Sequence, residues 1–271
     1  MTTAAAEQNP VLVERRGPVT ILTLNRPDQL NAISPAQAEH ILHATRLVAE
    51  DDRCRVLVLT GAGRAFCTGM DLVAGLDGDG DRGQVQGRHH VLSRGVEAFL
   101  ALREIPQPVI AAVHGHAVGA GLALAAMADI RIADTTACFS PVFTRRGFSG
   151  GDLGASWWLP RLIGFANTAE ILYTAGPFDA HRAHQLGFVS RVVGEGDDID
   201  AAVALAEQIA ANAPFAVHQT KQLLNAALGV GELRHHMAAE VRTQVLCSLT
   251  TDATEGITAA LERRTPNFTN T

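Results

Sequence analysis

Residues 108–134 read PVIAAVHGHAVGAGLALAAMADIRIAD. Residues 108–133 are the longest apolar stretch of the chain, and His114, His116, Asp129 and Arg131 interrupt it. A membrane-spanning helix needs about 20 predominantly apolar residues and does not carry such groups at its centre. The stretch divides instead into three short elements. Residues 108–113 are a continuous apolar run of strand length, 119–127 are small helix-forming residues, and 129–133 are apolar again. Strand, helix and strand in that order predict a βαβ unit with a right-handed crossover, and so a parallel sheet covered on both faces.

The same pattern extends outward. Residues 55–60 (RVLVLT) form a second buried strand that stops at Gly61-Ala62-Gly63. Upstream, the alternating segments 11–14 and 19–24 flank Arg16-Gly17-Pro18 and predict a hairpin. Between them and 55–60, Ser34 offers an N-cap and Pro35 a first helical residue for a helix reaching Glu50. Residues 75–87 are rich in glycine and aspartate and predict a loop, followed by a helix over 91–103. From residue 201 the strand signal ends, and 201–212, 214–228, 232–246 and 254–263 predict four helices. The expected organisation is an α/β core over 1–200 and a helical region over 201–271.

Bulk properties bound the function. The chain has 271 residues, 47% hydrophobic and 18% charged, which is enough to bury a large core and too apolar for disorder. A net charge of -6 without a long basic run predicts neither nucleic acid nor an anionic membrane surface as partner. The four cysteines, Cys54, Cys67, Cys138 and Cys247, show no metal or disulfide spacing and predict reduced thiols. The first ten residues lack the apolar segment of a secretion signal, so the expected location is the cytoplasm. No metal site is expected: His89 and His90 are adjacent on a helix and point to different faces.

Two segments share a layout: buried strand, glycine-rich turn, then small residues read as a helix. The first runs from 56–60 through 61–66 to 67–72, the second from 109–113 through 114–118 to 119–121. Helix N-termini at the carboxyl ends of parallel strands offer unpaired N–H groups, and two of them facing each other would hold an oxyanion. Gly119-Ala120-Gly121 is not a dinucleotide fingerprint, because its third glycine position is Leu124.

Leu24-Asn25-Arg26-Pro27, Thr60-Gly61, Ala65-Phe66-Cys67-Thr68-Gly69-Met70-Asp71-Leu72 and 108–134 resemble successive signatures of the crotonase superfamily, the enoyl-CoA hydratase/isomerase family. Trp158-Leu159-Pro160-Arg161-Leu162-Ile163-Gly164, Leu186-Gly187-Phe188-Val189 and 251–268 continue the resemblance, which spans about residues 11–268. It implies a β-β-α spiral core with a C-terminal helical trimerisation region, assembled as a homotrimer or a dimer of trimers. It implies an acyl-CoA thioester as substrate, with no cofactor apart from the coenzyme A of the substrate itself. The backbone N–H groups of Met70 and Ala120 would hold the enolate oxygen, with Gly69, Gly119 and Gly121 allowing close approach. Arg26 matches a position beside the CoA phosphates. The matched segment makes Ala65, Cys67, Asp71 and Leu72 further candidates for contact with substrate or CoA, although Asp71 also suits a loop anchor and Cys67 a structural role. Trp157 is a candidate for lining the acyl pocket, with core packing as the alternative.

The chain departs from the hydratase pattern at both catalytic carboxylates. Their positions match Ala123 and, within a residue, Phe143, and no carboxylate lies between Cys138 and Gly151. Asp152, in Gly150-Gly151-Asp152-Leu153-Gly154, matches the position where some superfamily isomerases carry an acid/base aspartate. It also suits the N-cap of a helix over 155–163. With one carboxylate, double-bond isomerisation of an enoyl- or dienoyl-CoA fits better than hydration. Hydrolysis of a thioester or a β-diketone, and acyl-CoA binding without turnover, are the alternatives.

Overall fold

The computed structural model describes residues 9–74, 83–229 and 233–271. Strands β1 (Val11–Arg16) and β2 (Val19–Leu24) form the expected hairpin. They continue into β3 (Val56–Gly61), β4 (Val109–Val113), β6 (Ile130–Asp134) and β9 (Arg191–Val193), giving a six-stranded sheet in the order β1-β2-β3-β4-β6-β9. Every pairing after the hairpin is parallel. A second sheet joins β5 (His116–Val118), β7 (Cys138–Ser140) and β8 (Phe178–Asp179).

Side-chain alternation divides the core. Val56 and Val58 of β3 face one side, with Ile110, Ala112 and Ile132. Helix α7 (Asp198–Ala210) closes that side with Ala202, Ala206 and Ala210, small residues four apart that let it approach closely. Leu57 and Leu59 face the other side, under α1 (Pro35–Glu50), α2 (Gln84–Glu104), α3 (Ala120–Met127) and α4 (Ala155–Ile163). Ser34 caps α1 by accepting from Gln37 N at 3.2 Å, and Pro35 opens it, as the sequence predicts.

Helix α5 (Phe165–Thr174) and α6 (Ala180–Gln185) follow α4, and α8 (Pro214–Ala227), α9 (Leu233–Ser248) and α10 (Thr251–Glu262) complete the chain. A partly buried charge cluster docks α8 on the α/β part. Lys221 Nζ reaches Asp129 Oδ2 at 3.0 Å and donates to the Gln107 carbonyl at 2.8 Å, while Arg103 holds Asp129 Oδ1 at 2.6 Å. Removing one member would leave the others partly buried without their partner. Among the described residues no helix is long and apolar enough to cross a membrane.

Two expectations are corrected. Helix α2 starts at Gln84, seven residues before the expected start, so the loop expected over 75–87 ends at Gly83; residues 75–82 lie outside the described residues. Gly87 and Gly95 are both buried and eight residues apart, so they lie on one face of the helix. The segment 67–72 is not a helix. Cys67 bridges Ala117, and Met70 bridges Ile33, both in parallel register. Pairing with neighbouring backbone outweighs the helix preference of small residues there.

Candidate active site

The segment after β3 is extended because three neighbours hold it. Phe66 N and Cys67 N donate to the carbonyls of His114 and His116, each at 2.9 Å, and Cys67 O accepts from Val118 N at 2.9 Å. Farther on, Gly69 O accepts from Ile33 N at 2.7 Å and Asp71 N donates to Ile33 O at 3.0 Å. Met70 lies between those two bonds, and among the described residues its N–H has no partner. The buried Asn31 sets the upstream part of the loop. Its amide donates to Ala62 O at 2.8 Å and Ala65 O at 2.7 Å, and its Oδ1 accepts from Arg26 N at 2.9 Å.

The second N–H comes from the start of α3. Gly119 N is used by Ser140 O at 2.8 Å, and Gly119 O accepts from Ala123 N at 3.0 Å. That leaves Ala120 N–H as the first unpartnered donor of the helix among the described residues. The two segments touch. A Cβ on Gly69, whose φ is +93°, would lie 2.7 Å from Val118 O and 3.4 Å from Ala120 N. A Cβ on Gly121 would lie 2.0 Å from Cys67 O. Only a residue without a side chain fits at either position. One of the two donors is therefore a helix N-terminus, and the other belongs to an extended strand-like segment.

Both open into a cleft of about 280 Å³, lined also by Leu72, Leu92, Val142, Phe143, Phe148, Arg146 and Asp152. Asp152 is the one carboxylate among its described lining residues. Burial raises its pKa above the ordinary aspartate value, opposed by the Leu153 N–H that donates to Oδ1 at 2.9 Å. Its side chain does not cap α4. The cap position is Gly154, no side chain bonds there, and Asp152 meets the helix only through its backbone carbonyl, which accepts from Ala155 N at 2.8 Å. Leu153 has a φ of +46°, a strained backbone for a branched residue, next to the cleft carboxyl. The two positions aligned with hydratase glutamates hold Ala123, fully buried in α3, and Phe143, which lines the cleft.

The other candidates separate by location. Arg26 is tied to Asp71 Oδ2 at 2.9 Å, and Asp71 Oδ1 accepts from Val73 N and Ala74 N, each at 3.1 Å. Burial alone would raise the Asp71 pKa, but those amides and the Arg26 guanidinium outweigh it and hold it low. Ala65 and Cys67 are buried beneath the cleft, and burial pushes the Cys67 thiol up to about 12, which leaves no thiolate for chemistry. Trp157 lies outside the cleft. It borders a neighbouring apolar groove with Trp158 and Phe99, and the Arg161 guanidinium stacks 3.5 Å from its ring centre. His114 is also outside. Its Nδ1 lies 2.9 Å from Asp198 Oδ2 and its Nε2 3.1 Å from Gly63 O. Both partners are acceptors, so satisfying both requires the imidazolium, and the Asp198 carboxylate raises the His114 pKa accordingly. His89 and His90 are exposed on α2 and do not line the cleft. Two residues of the site carry no motif that marks them in the sequence: Asn31, which shapes the loop, and Arg146, a cation on a mostly apolar wall.

The profile of the family described as enoyl-CoA hydratase/isomerase matches residues 14–271. A Mycobacterium tuberculosis H37Rv protein named probable enoyl-CoA hydratase EchA12 is 36% identical over 266 residues, covering 96% of this chain and 93% of that protein. The 1,2-epoxyphenylacetyl-CoA isomerase of Escherichia coli K12 is 35% identical over 257 residues, covering 93% and 95%. Among solved structures, an enoyl-CoA hydratase from Bacillus anthracis superposes with a TM-score of 0.90 at 33% identity, covering 97% of this chain and 100% of that one.

Proposed function

The chain belongs to the enoyl-CoA hydratase/isomerase family, and from that premise we propose that it moves the double bond of an enoyl- or dienoyl-CoA thioester. One observation carries the choice of isomerisation. The cleft that receives the unpartnered N–H groups of Met70 and Ala120 contains a single carboxylate among its described lining residues, and that carboxylate has a raised pKa.

The thioester oxygen lies between the two N–H groups. With a 3-enoyl ester, the Asp152 carboxylate takes a proton from C2, and the electron pair delocalises into a dienolate whose oxygen charge the two amides stabilise. The same carboxyl returns the proton to C4, and the double bond moves from C3–C4 to C2–C3 with no net change in composition. A raised pKa suits this task, because the group must both accept and release a proton near neutral pH. Hydration asks for a second group to position and activate water, and the buried Ala123 and the Phe143 ring offer none. The name of the Escherichia coli relative, an isomerase of a CoA ester, supports the same side of the family.

The deciding assay incubates the protein with 2-enoyl-, 3-enoyl- and 3,5-dienoyl-CoA esters and identifies products by mass and ultraviolet spectrum. A shifted double bond at unchanged mass is expected. Gain of one water with a 2-enoyl ester as the sole reaction would replace isomerisation by hydration, and release of free CoA thiol would replace it by hydrolysis.

Self-association as a trimer or a dimer of trimers belongs to the same proposal. No residue of α9 is buried, and Leu233, Met237, Val241 and Val245 are exposed at intervals of four on one face of it. A continuous apolar stripe of this kind is the mark of an interface. Sedimentation should give a mass of three or six chains, and Val241→Asp with Val245→Asp should lower it. An unchanged mass in the double variant would remove α9 from the interface.

A further inference from the structure

We infer that Arg146 selects acyl-CoA esters whose acyl tail ends in a carboxylate, that is, monothioesters of dicarboxylic acids. The inference rests on the placement of the thioester proposed above and adds the class of acyl group.

Arg146 lines the cleft, and Asp152 is the other charged group of its described lining. The backbone around Arg146 is fixed. Arg146 N donates to Phe143 O at 2.9 Å, Gly147 N to Thr144 O at 3.2 Å, Phe148 N to Phe143 O at 3.0 Å, and Thr144 Oγ1 to Leu172 O at 3.1 Å. Among the described residues its guanidinium has no carboxylate or carbonyl partner, whereas Arg26, Arg103 and Arg161 are each engaged. Nor does Arg146 act as counterion to Asp152. Among the described residues no ion pair joins them, and the Asp152 carboxylate accepts its hydrogen bond from Leu153 N at 2.9 Å.

Position along the chain indicates which part of the ligand Arg146 meets. It lies between Phe143 and Asp152, on the wall that carries the proton-transfer group, and not on the segment 66–72 that carries the thioester contact. The acyl chain therefore runs past it. An alkyl tail alone would press against a guanidinium and gain nothing from it. Arg146 is an exposed residue on the cleft's edge, and a carboxylate at the tail's end would accept two parallel N–H bonds from its planar fork.

The test measures binding of saturated esters, which cannot isomerise. Hexanoyl-CoA and the monothioester adipoyl-CoA are titrated into wild type, Arg146→Leu and Arg146→Lys by calorimetry. Wild type is expected to bind adipoyl-CoA about two- to fivefold more tightly than hexanoyl-CoA, as an exposed ion pair of bidentate geometry provides. The ratio should collapse toward one in Arg146→Leu and survive in part in Arg146→Lys, which keeps the charge and loses the fork. A wild-type ratio near one overturns the inference, and so does a ratio that Arg146→Leu leaves unchanged. Equal weakening of both esters and of free CoA in Arg146→Leu assigns the arginine to the CoA phosphates and also overturns it. Because nothing in the titration turns over, a protein that shows the preference and isomerises no ester would sink the isomerase reading and leave this one standing.

Discussion

Asp152→Asn is expected to lose at least about a hundredfold in kcat on the CoA ester that wild type turns over. Its Tm should hold or rise. The first expectation follows from the cleft, where no other described lining residue is a carboxylate that could carry the proton. The second follows from what the side chain does in the fold. Its one hydrogen bond is accepted from Leu153 N, which an asparagine oxygen can still accept, and the start of α4 is capped at Gly154 without it.

Linkage makes the sign of the stability change testable. The Asp152 pKa is raised in the folded state, chiefly by burial. Between the unfolded and folded pKa values the native protein holds a proton that the unfolded chain has released. Stability therefore falls as pH rises through that window, and the cost of the buried charge is present in full above it. An amide carries no such cost. The variant should match wild type at acid pH and equal or exceed it at neutral pH, while activity is lost throughout, the pattern of a group kept for chemistry at the expense of stability. In wild type, kcat/KM should rise with pH through a step that lies above the ordinary aspartate range and is missing from the variant. Melting curves and initial rates across the same buffers read both. Equal rates in wild type and Asp152→Asn would remove Asp152 from the chemistry.

The fold was legible wherever burial acts through a regular period. All residues of β3 and β4 are buried, and their uninterrupted apolar runs announce it, as do Ser34 and Pro35 at the start of α1. The segment 67–72 was misread for a physical reason. Small residues next to a strand suit a helix locally, but its backbone finds partners in Ile33, His116 and Val118, residues far away in sequence. The resemblance singled out the amides of Met70 and Ala120, whereas the reason Met70 N–H has no partner among the described residues lies in that long-range pairing and not in a helix end. Asp152 was singled out, with two roles open. The structure removes the side-chain cap, because the chain turns through left-handed backbone at Leu153 and Gly154, which moves the cap position two residues on and leaves Asp152 lining the cleft. Arg146 could not be read in advance, because a lone arginine in a turn has the same local sequence whether it faces solvent or a ligand.

Gly121→Ala should cost about a hundred- to a thousandfold in kcat, the loss that follows removal of one oxyanion donor. The new methyl would sit 2.0 Å from Cys67 O and 2.8 Å from the Cys67 carbonyl carbon, atoms of a backbone pinned by Val118 N and His116 O. The clash cannot be relieved by a rotating side chain, so α3 and the segment 66–71 must separate, and with them the amides of Ala120 and Met70. The fold should survive at a lower Tm, since overpacking of this kind typically costs about 1–3 kcal/mol. The rate should fall more than affinity for a saturated acyl-CoA does, because in the proposed mechanism the amides would hold the charged enolate more strongly than the neutral thioester. This variant also complements Asp152→Asn. The clash of Gly121→Ala falls on Cys67 and not on Asp152, so its surviving activity should keep the raised pH step that Asp152→Asn abolishes. A Gly121→Ala protein with lowered Tm and wild-type kcat would show that the amide pair serves packing alone, and the enolate would then need another source of stabilisation in the cleft.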